Sequence, residues 1–167
     1  GANVSSWNTN RIRVMDYNGD GRQDVIVYLQ GIWRVYLSLP QADGSWKLST
    51  TPINTAMTSR NTAFADINSD GLIDAVYIQN DTTIVARYLV RDQSQPLTSN
   101  QFYKFGAAIT LGTVPDHGFY FANYGVYSGA DFNGDGLQDI LLESSFTYNS
   151  DFLHYTNYVA DYLVVEE

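Results

Sequence analysis

The chain contains no cysteine and only two histidines. Zinc and the other metals that favour sulfur or imidazole therefore have almost nothing to bind. The absent cysteines leave the redox compartment unmarked. Basic residues are also scarce: nine Lys and Arg stand against eighteen Asp and Glu, a net charge of −9, with a pI near 4.4. No basic cluster exists to hold a polyanion, so neither nucleic acid nor an anionic membrane surface is expected as a partner. No apolar run approaches the roughly 18 residues needed to cross a bilayer, so no membrane insertion is expected. The chain opens Gly1-Ala2-Asn3, with neither Met nor a signal peptide, and is expected to be processed or taken from something longer.

What is present points to a folded, strand-rich chain. A length of 167 residues suits one domain with a substantial core. Hydrophobic residues make up 44% and charged residues 16%, too apolar a balance for disorder. Thirteen tyrosines, with many Val, Ile and Thr, favour strands.

One phrase recurs three times. Asp16-Tyr17-Asn18-Gly19-Asp20-Gly21-Arg22-Gln23-Asp24 returns as Asp66-Ile67-Asn68-Ser69-Asp70-Gly71-Leu72-Ile73-Asp74 and as Asp131-Phe132-Asn133-Gly134-Asp135-Gly136-Leu137-Gln138-Asp139. The shared pattern is D-x-N-x-D-G-x-x-D, followed each time by an apolar run. Side-chain oxygens at alternate positions of a tight loop can converge on one hard cation. Calcium accepts roughly 6–8 oxygens and tolerates irregular geometry, whereas magnesium demands a near-octahedral shell. Positions 1, 3, 5 and 9 supply Asp16, Asn18, Asp20 and Asp24, then Asp66, Asn68, Asp70 and Asp74, then Asp131, Asn133, Asp135 and Asp139. Position 7 would give a backbone carbonyl, which leaves its side chain free to vary: Arg22, Leu72, Leu137. Position 6 is always Gly, as a sharp turn with φ > 0 requires. About three calcium ions are expected, one per loop. The simpler alternative is that Asp, Asn and Gly here only make good turns.

The charge balance favours the metal. The loops hold nine aspartates, and the nine acids outside them balance the nine bases. The nine loop aspartates thus equal the net charge in number, and crowded carboxylates without a cation disfavour one another's ionisation. The pattern is not an EF-hand, which needs Glu at position 12 and flanking helices. Position 12 is Val27, Tyr77 or Leu142, and each loop leads into a strand-like run.

Those runs predict short antiparallel strands. The first unit reads as Arg11–Met15, Val25–Leu29 (fully buried), Trp33–Leu37 stopped by Pro40, and Trp46–Thr50 as a fourth strand after an Asp43-Gly44 hairpin turn. The second reads as Asn61–Ala65, Ala75–Ile78 and Thr83–Val90, followed by a polar segment and an aromatic stretch from Phe102 to Tyr127. The third reads as Val126–Ala130, Ile140–Glu143, a turn over Ser144–Asn149, and one or two strands within Phe152–Val165. Loop starts at 16, 66 and 131 give steps of 50 and 65 residues. Four strands per repeat of that length predict an all-β chain of β-propeller-type blades, each a four-stranded antiparallel sheet. About three repeats make a partial propeller. The expected division is a first blade with an N-terminal strand over 1–60, a second with a long insert over 61–125, and a third, incomplete blade over 126–167.

The triplicated motif resembles the calcium loops of FG-GAP/VCBS repeats, the blades of integrin α-like propellers. The strand around Trp33 and that around Trp46 also look like repeats of secreted Rhs and toxin-complex B type proteins. The resemblance implies calcium bound for structure by the loop residues named above. It implies an extracellular or cell-surface setting and a surface for adhesion, sugar binding or encapsulation. Phe105-Gly106-Ala107 only echoes the family's Phe-Gly…Gly-Ala-Pro signature.

No catalytic residues are expected. His117 sits in a turn-like Pro115-Asp116-His117-Gly118 and His154 in a strand-like run, and neither belongs to an H-E-x-x-H or G-x-S-x-G pattern. The expected function is a non-enzymatic calcium-binding scaffold or adhesion module of an exported bacterial protein. Its partners would be a protein or glycan surface, or other blades of a parent, with self-association through open blade edges. The alternative is a lectin-like module in which Phe119, Tyr120, Phe121 or Tyr124 contacts sugar.

Overall fold

The computed structural model describes residues 12–80, 82–96, 102–113, 122–128, 131, 134, 136, 138–150 and 153–163. Among the described residues there is no helix, and the strand pairs with an assigned register are antiparallel. The all-β reading holds, and the sheets are small and blade-sized. Two compact units form, each drawn from separate stretches of chain: residues 1–60 with 90–104, and residues 61–89 with 105–167.

The first unit begins with β1 (Ile12–Met15), the first repeated loop, β2 (Asp24–Leu29) and β3 (Ile32–Tyr36). Met15 pairs with Asp24 and Val25 with Tyr36. Gln30 and Gly31 turn β2 into β3 with φ of 52° and 84°, the two positive values of the hairpin turn that matches strand twist. The core is built by Ile26, Val27, Trp33, Val35, Leu37 and Met57, all buried. The indole Nε1 of Trp33 donates to the Ser59 carbonyl (2.8 Å), and the ring meets Tyr28 edge-on. Ile26 and Val27, which point to opposite faces of the strand, are both buried, while Val25, Tyr28 and Leu29 are half-buried, so β2 is covered on both faces at its centre and less fully elsewhere.

Two expectations change here. The third strand stops at Tyr36, and the chain resumes as β4 (Ser38–Pro40), paired with β5 (Trp46–Leu48) in a two-stranded ribbon of its own. The fourth place in the sheet goes to β6 (Ile53–Asn54), giving the order β1-β2-β3-β6. Trp46 is thus not a blade strand. The cause lies in the loop: the Asp24 carboxylate takes the Ser38 N–H (2.7 Å) and draws the chain out of the ladder. Trp46 is left 53% exposed, whereas Trp33 is fully buried.

The second unit repeats the plan. Strands β7 (Thr62–Ala65), β8 (Asp74–Gln79) and β9 (Thr83–Arg87) pair in the same registers, Ala65 with Asp74 and Ala75 with Arg87. The expected strand Thr83–Val90 again breaks, at Tyr88, before β10 (Leu89–Arg91), which forms a ribbon with β11 (Tyr103–Phe105). The fourth strand is β12 (Ile109–Thr113), beside β9. A third sheet has β13 (Ala122–Ser128), β14 (Ile140–Ser150) and β15 (Leu153–Leu163) in sequence order. The turn expected over Ser144–Asn149 is strand instead: β14 runs on to Ser150, and Phe146, Thr147 and Tyr148 suit a pleated backbone. In this unit Ala63, Ala65, Ile67, Val76, Ile84 and Ala86 pack with Val126, Ile140 and Leu142 in one core. Small residues on β7 let β13 lie close against it.

Candidate metal centre

Each repeated loop joins the first two strands of its sheet, so both loop ends are fixed by a strand ladder. Loop 1 is held by its own polar atoms. Asp16 accepts the backbone N–H groups of Asp20 (Oδ1, 3.1 Å) and Gly21 (Oδ2, 2.7 Å). Asn18 Oδ1 also accepts from Asp20 N (3.2 Å), while its amide donates to Asp20 Oδ2 (3.1 Å). Asp20 Oδ1 accepts Arg22 N (3.0 Å). Loop 2 reproduces the set: Asp66 accepts from Asp70 (3.1 Å) and Gly71 (2.9 Å), Asn68 from Asp70 (3.2 Å), and Asp70 from Leu72 (2.8 Å) and the Asn68 amide (3.1 Å). In loop 3, Asp131 accepts from Gly134 (2.6 Å) and Gly136 (2.9 Å). The candidate ligands Asn133, Asp135 and Leu137 lie outside the described residues.

The glycine at position 6 takes φ of 81°, 82° and 91° in the three loops. Position 4 is left-handed as well, at Gly19 (70°), Ser69 (57°) and Gly134 (79°). That second requirement was missed in the sequence. Its signal was there, since position 4 is Gly, Ser or Gly.

Position 9 does something the spacing did not reveal. Asp24 and Asp74 are fully buried, and both oxygens of each accept backbone N–H groups. Asp24 takes Tyr17 N (3.0 Å) and Ser38 N (2.7 Å); Asp74 takes Ile67 N (3.3 Å) and Leu89 N (2.8 Å). Each carboxylate thereby ties the start of its loop to the start of the ribbon. Burial pushes the Asp74 carboxyl up to about 6; the two N–H bonds oppose this, and the nearby charges of Asp70 and Asp66 add to it. Asp24 is raised for the same reasons, with Asp20 and Asp16 as its charged neighbours. Asp139 is also fully buried.

Beside loop 1, Tyr17 is buried, and its hydroxyl reaches the Tyr103 carbonyl at 3.4 Å. Burial, and then the Asp24 charge, pushes its phenol well above the usual range.

The donor chemistry fits a hard cation. Every loop side chain at positions 1, 3, 5 and 9 offers oxygen, and in loops 1 and 2 the charges at positions 1 and 5 help to raise the position-9 carboxyl. Among the described residues, however, no three Asp, Glu, His or Cys side chains converge on a point where they could ligate one ion together. The loops are closed instead by their own N–H groups, with Asp20 and Asp70 bonded to the Asn amides.

Of the residues weighed for other chemistry, His154 lies in β15 opposite Asn149, and Tyr124 lies in β13 opposite Ser144. His117, Phe119, Tyr120 and Phe121 lie outside the described residues.

Four-stranded antiparallel sheets with an Asp-rich loop between their first two strands place this chain among repeat proteins built from blades. Residues 16–77 match the family model of an FG-GAP-like repeat, so the chain carries a repeat of the kind that forms β-propeller blades. The match runs from the first residue of loop 1 into β8. No curated protein and no solved structure matches the chain.

Proposed function

We propose that this is a non-enzymatic, calcium-stabilised blade module of an exported protein, serving as an adhesion or structural scaffold. The observation that carries the reading is the near-identical hydrogen-bond arrangement of loops 1 and 2, within the FG-GAP-like match. In loop 1 the ion would be held by Asp16, Asn18, Asp20, Asp24 and the Arg22 carbonyl. In loop 2 it would be held by Asp66, Asn68, Asp70, Asp74 and the Leu72 carbonyl. Asp131, Asn133, Asp135, Asp139 and the Leu137 carbonyl would hold a third. When bound, the cation supplies positive charge that offsets three crowded carboxylates per loop.

An extracellular setting agrees with the usual occurrence of FG-GAP repeats in extracellular or surface proteins, where calcium is plentiful. A device repeated three times serves the scaffold, whereas catalysis needs one distinct open site. The surface left for partners includes the edge strand β1, where Val14 is 60% exposed. Other blades, a second copy, or a protein or glycan surface are its proposed occupants. Isothermal calorimetry of chelator-stripped protein should find about three calcium sites. Finding none, or finding zinc preferred, overturns the reading.

A further inference from the structure

Loops 1 and 2 differ in charge at one position. Position 7 is Arg22 in loop 1 and Leu72 in loop 2. The Arg22 guanidinium is ion-paired to Asp20 Oδ2 through Nη2, and its carbon lies 4.2 Å from the centre of the Trp46 ring. The pair is only partly open to solvent, with the two side chains 34% and 25% exposed. Arg22 Nε is buried and has no hydrogen-bond acceptor among the described residues. The Asp20 carboxylate and the Trp46 face therefore hold this guanidinium in place. Asp70, the counterpart in loop 2, joins no ion pair among the described residues.

We propose that Arg22 is a built-in counter-ion that competes for Asp20 and makes loop 1 a weaker, later-filling cation site than loop 2. The proposal rests on the calcium reading above and adds an order of filling to it. The physical argument has two parts. Loop 1 carries one positive charge among its three carboxylates, so its net attraction for a divalent ion is smaller. Asp20 must also give up the guanidinium before its oxygen is available. An ion pair of this exposure shifts an equilibrium by up to about fivefold, and nearby positive charge works against a cation in addition. Because the same guanidinium covers Trp46 on β5, release of Asp20 also changes the surroundings of that indole. Through Arg22, loop 1 is thus linked to the face of Trp46 on its ribbon, a link that Leu72 does not provide in loop 2.

Two glycine amides read the loops separately. Gly21 N donates to Asp16 and Gly71 N to Asp66, so each reports its own site. Chelator-stripped full chain, labelled with nitrogen-15, is titrated with calcium chloride. The Gly71 resonance should reach its midpoint at a calcium concentration about three- to tenfold below that of Gly21. In Arg22→Leu the Gly21 midpoint should move down toward that of Gly71, while Gly71 stays where it was. Arg22→Gln, which keeps much of the side chain's bulk without its charge, should do the same. The part of the tryptophan emission lost in Trp46→Phe should change with the Gly21 transition and not with the Gly71 transition. Gly21 and Gly71 titrating together in the unaltered protein would overturn the proposal. So would an unmoved Gly21 midpoint in Arg22→Leu with Gly71 responding normally. If neither glycine responds to calcium, the calcium reading falls and this inference falls with it.

Discussion

Asp74 joins three pieces of chain through two carboxylate oxygens: the loop at Ile67, the ribbon at Leu89, and β8, in which it sits. Asp70, four residues earlier, is exposed and bonds only within the loop. Asp70 should report cation binding at little structural cost, whereas Asp74 serves both the fold and the proposed site. Removing Asp74 leaves two backbone N–H groups without their acceptor, at about 1–3 kcal/mol each. Asp74→Ala is therefore expected to lower the stability of the metal-free protein by about 2–6 kcal/mol in urea denaturation. Asp74→Asn keeps one acceptor and sheds a buried charge but turns an NH2 toward the other backbone N–H, and should lose less than Asp74→Ala without matching the wild type. Asp70→Ala should leave metal-free stability within about 1 kcal/mol and abolish the share of calcium-dependent stabilisation that belongs to loop 2. Asp92 offers a test by pH. Hydrogen bonds from the Ser94 hydroxyl and then from Lys104 (2.9 Å) pull its carboxyl down to about 2. Its folded pKa lies below its ordinary value of 3.8, so the native form holds fewer protons between the two. The contribution is present above the ordinary value and is lost as pH falls through about 2. A carbon-detected NMR titration should find that depressed midpoint, and Lys104→Ala should raise it.

Two tryptophans show how differently the strands of one repeat are used. Trp33 on β3 is fully buried and bonded to the Ser59 carbonyl, whereas Trp46 on β5 is more than half exposed. Truncating Trp33 opens a cavity and leaves a carbonyl without its donor. Trp33→Ala should cost about 3–5 kcal/mol, read as a lower midpoint in thermal or urea unfolding. Trp46→Ala should cost about 1 kcal/mol or less, since it loses only a partial stack with Arg22. Both residues looked like strand aromatics in the sequence. The blade sheet takes the first, and the ribbon, split off by the position-9 aspartate, takes the second.

At the scale of the molecule, nine of the eighteen acidic residues are loop aspartates, and stability should follow calcium accordingly. A site that binds only the folded chain adds about 2.7 kcal/mol at a hundred times its dissociation constant. The melting temperature should rise with added calcium and fall with chelator, and sodium chloride at matched ionic strength should not reproduce the gain. The two compact units interleave along the chain: residues 90–104 cluster with the first sixty, while 61–89 cluster with 105–167. No single cut between repeats therefore yields both units whole. β1 ends its sheet among the described residues. An edge strand with an exposed Val14 invites pairing with another chain. Sedimentation velocity across a range of concentrations should show reversible self-association, weakened by Val14→Lys. A strictly monomeric wild type at high concentration would count against an open edge.

Much of this protein is written locally. The three nonapeptides, the left-handed glycine at position 6 and the strand after each loop depend on neighbours within a few residues, so the sequence by itself determined them. It also determined the strand-rich class, because alternating β-branched and aromatic residues leave little choice. Tertiary structure decided the rest, since the deciding contacts are distant along the chain. Asp24 meets Ser38 fourteen residues away and Asp74 meets Leu89 fifteen away. Those bonds end the third strand, and with the bonds between Leu37 and Ser49 they set aside Trp46–Leu48 as a ribbon while Ile53–Asn54 closes the sheet. Alternating apolar residues look the same in a blade strand and in a ribbon, so periodicity cannot choose between them. The placing of Arg22 beside Asp20 is likewise completed by where folding puts Trp46, twenty-four residues beyond the arginine.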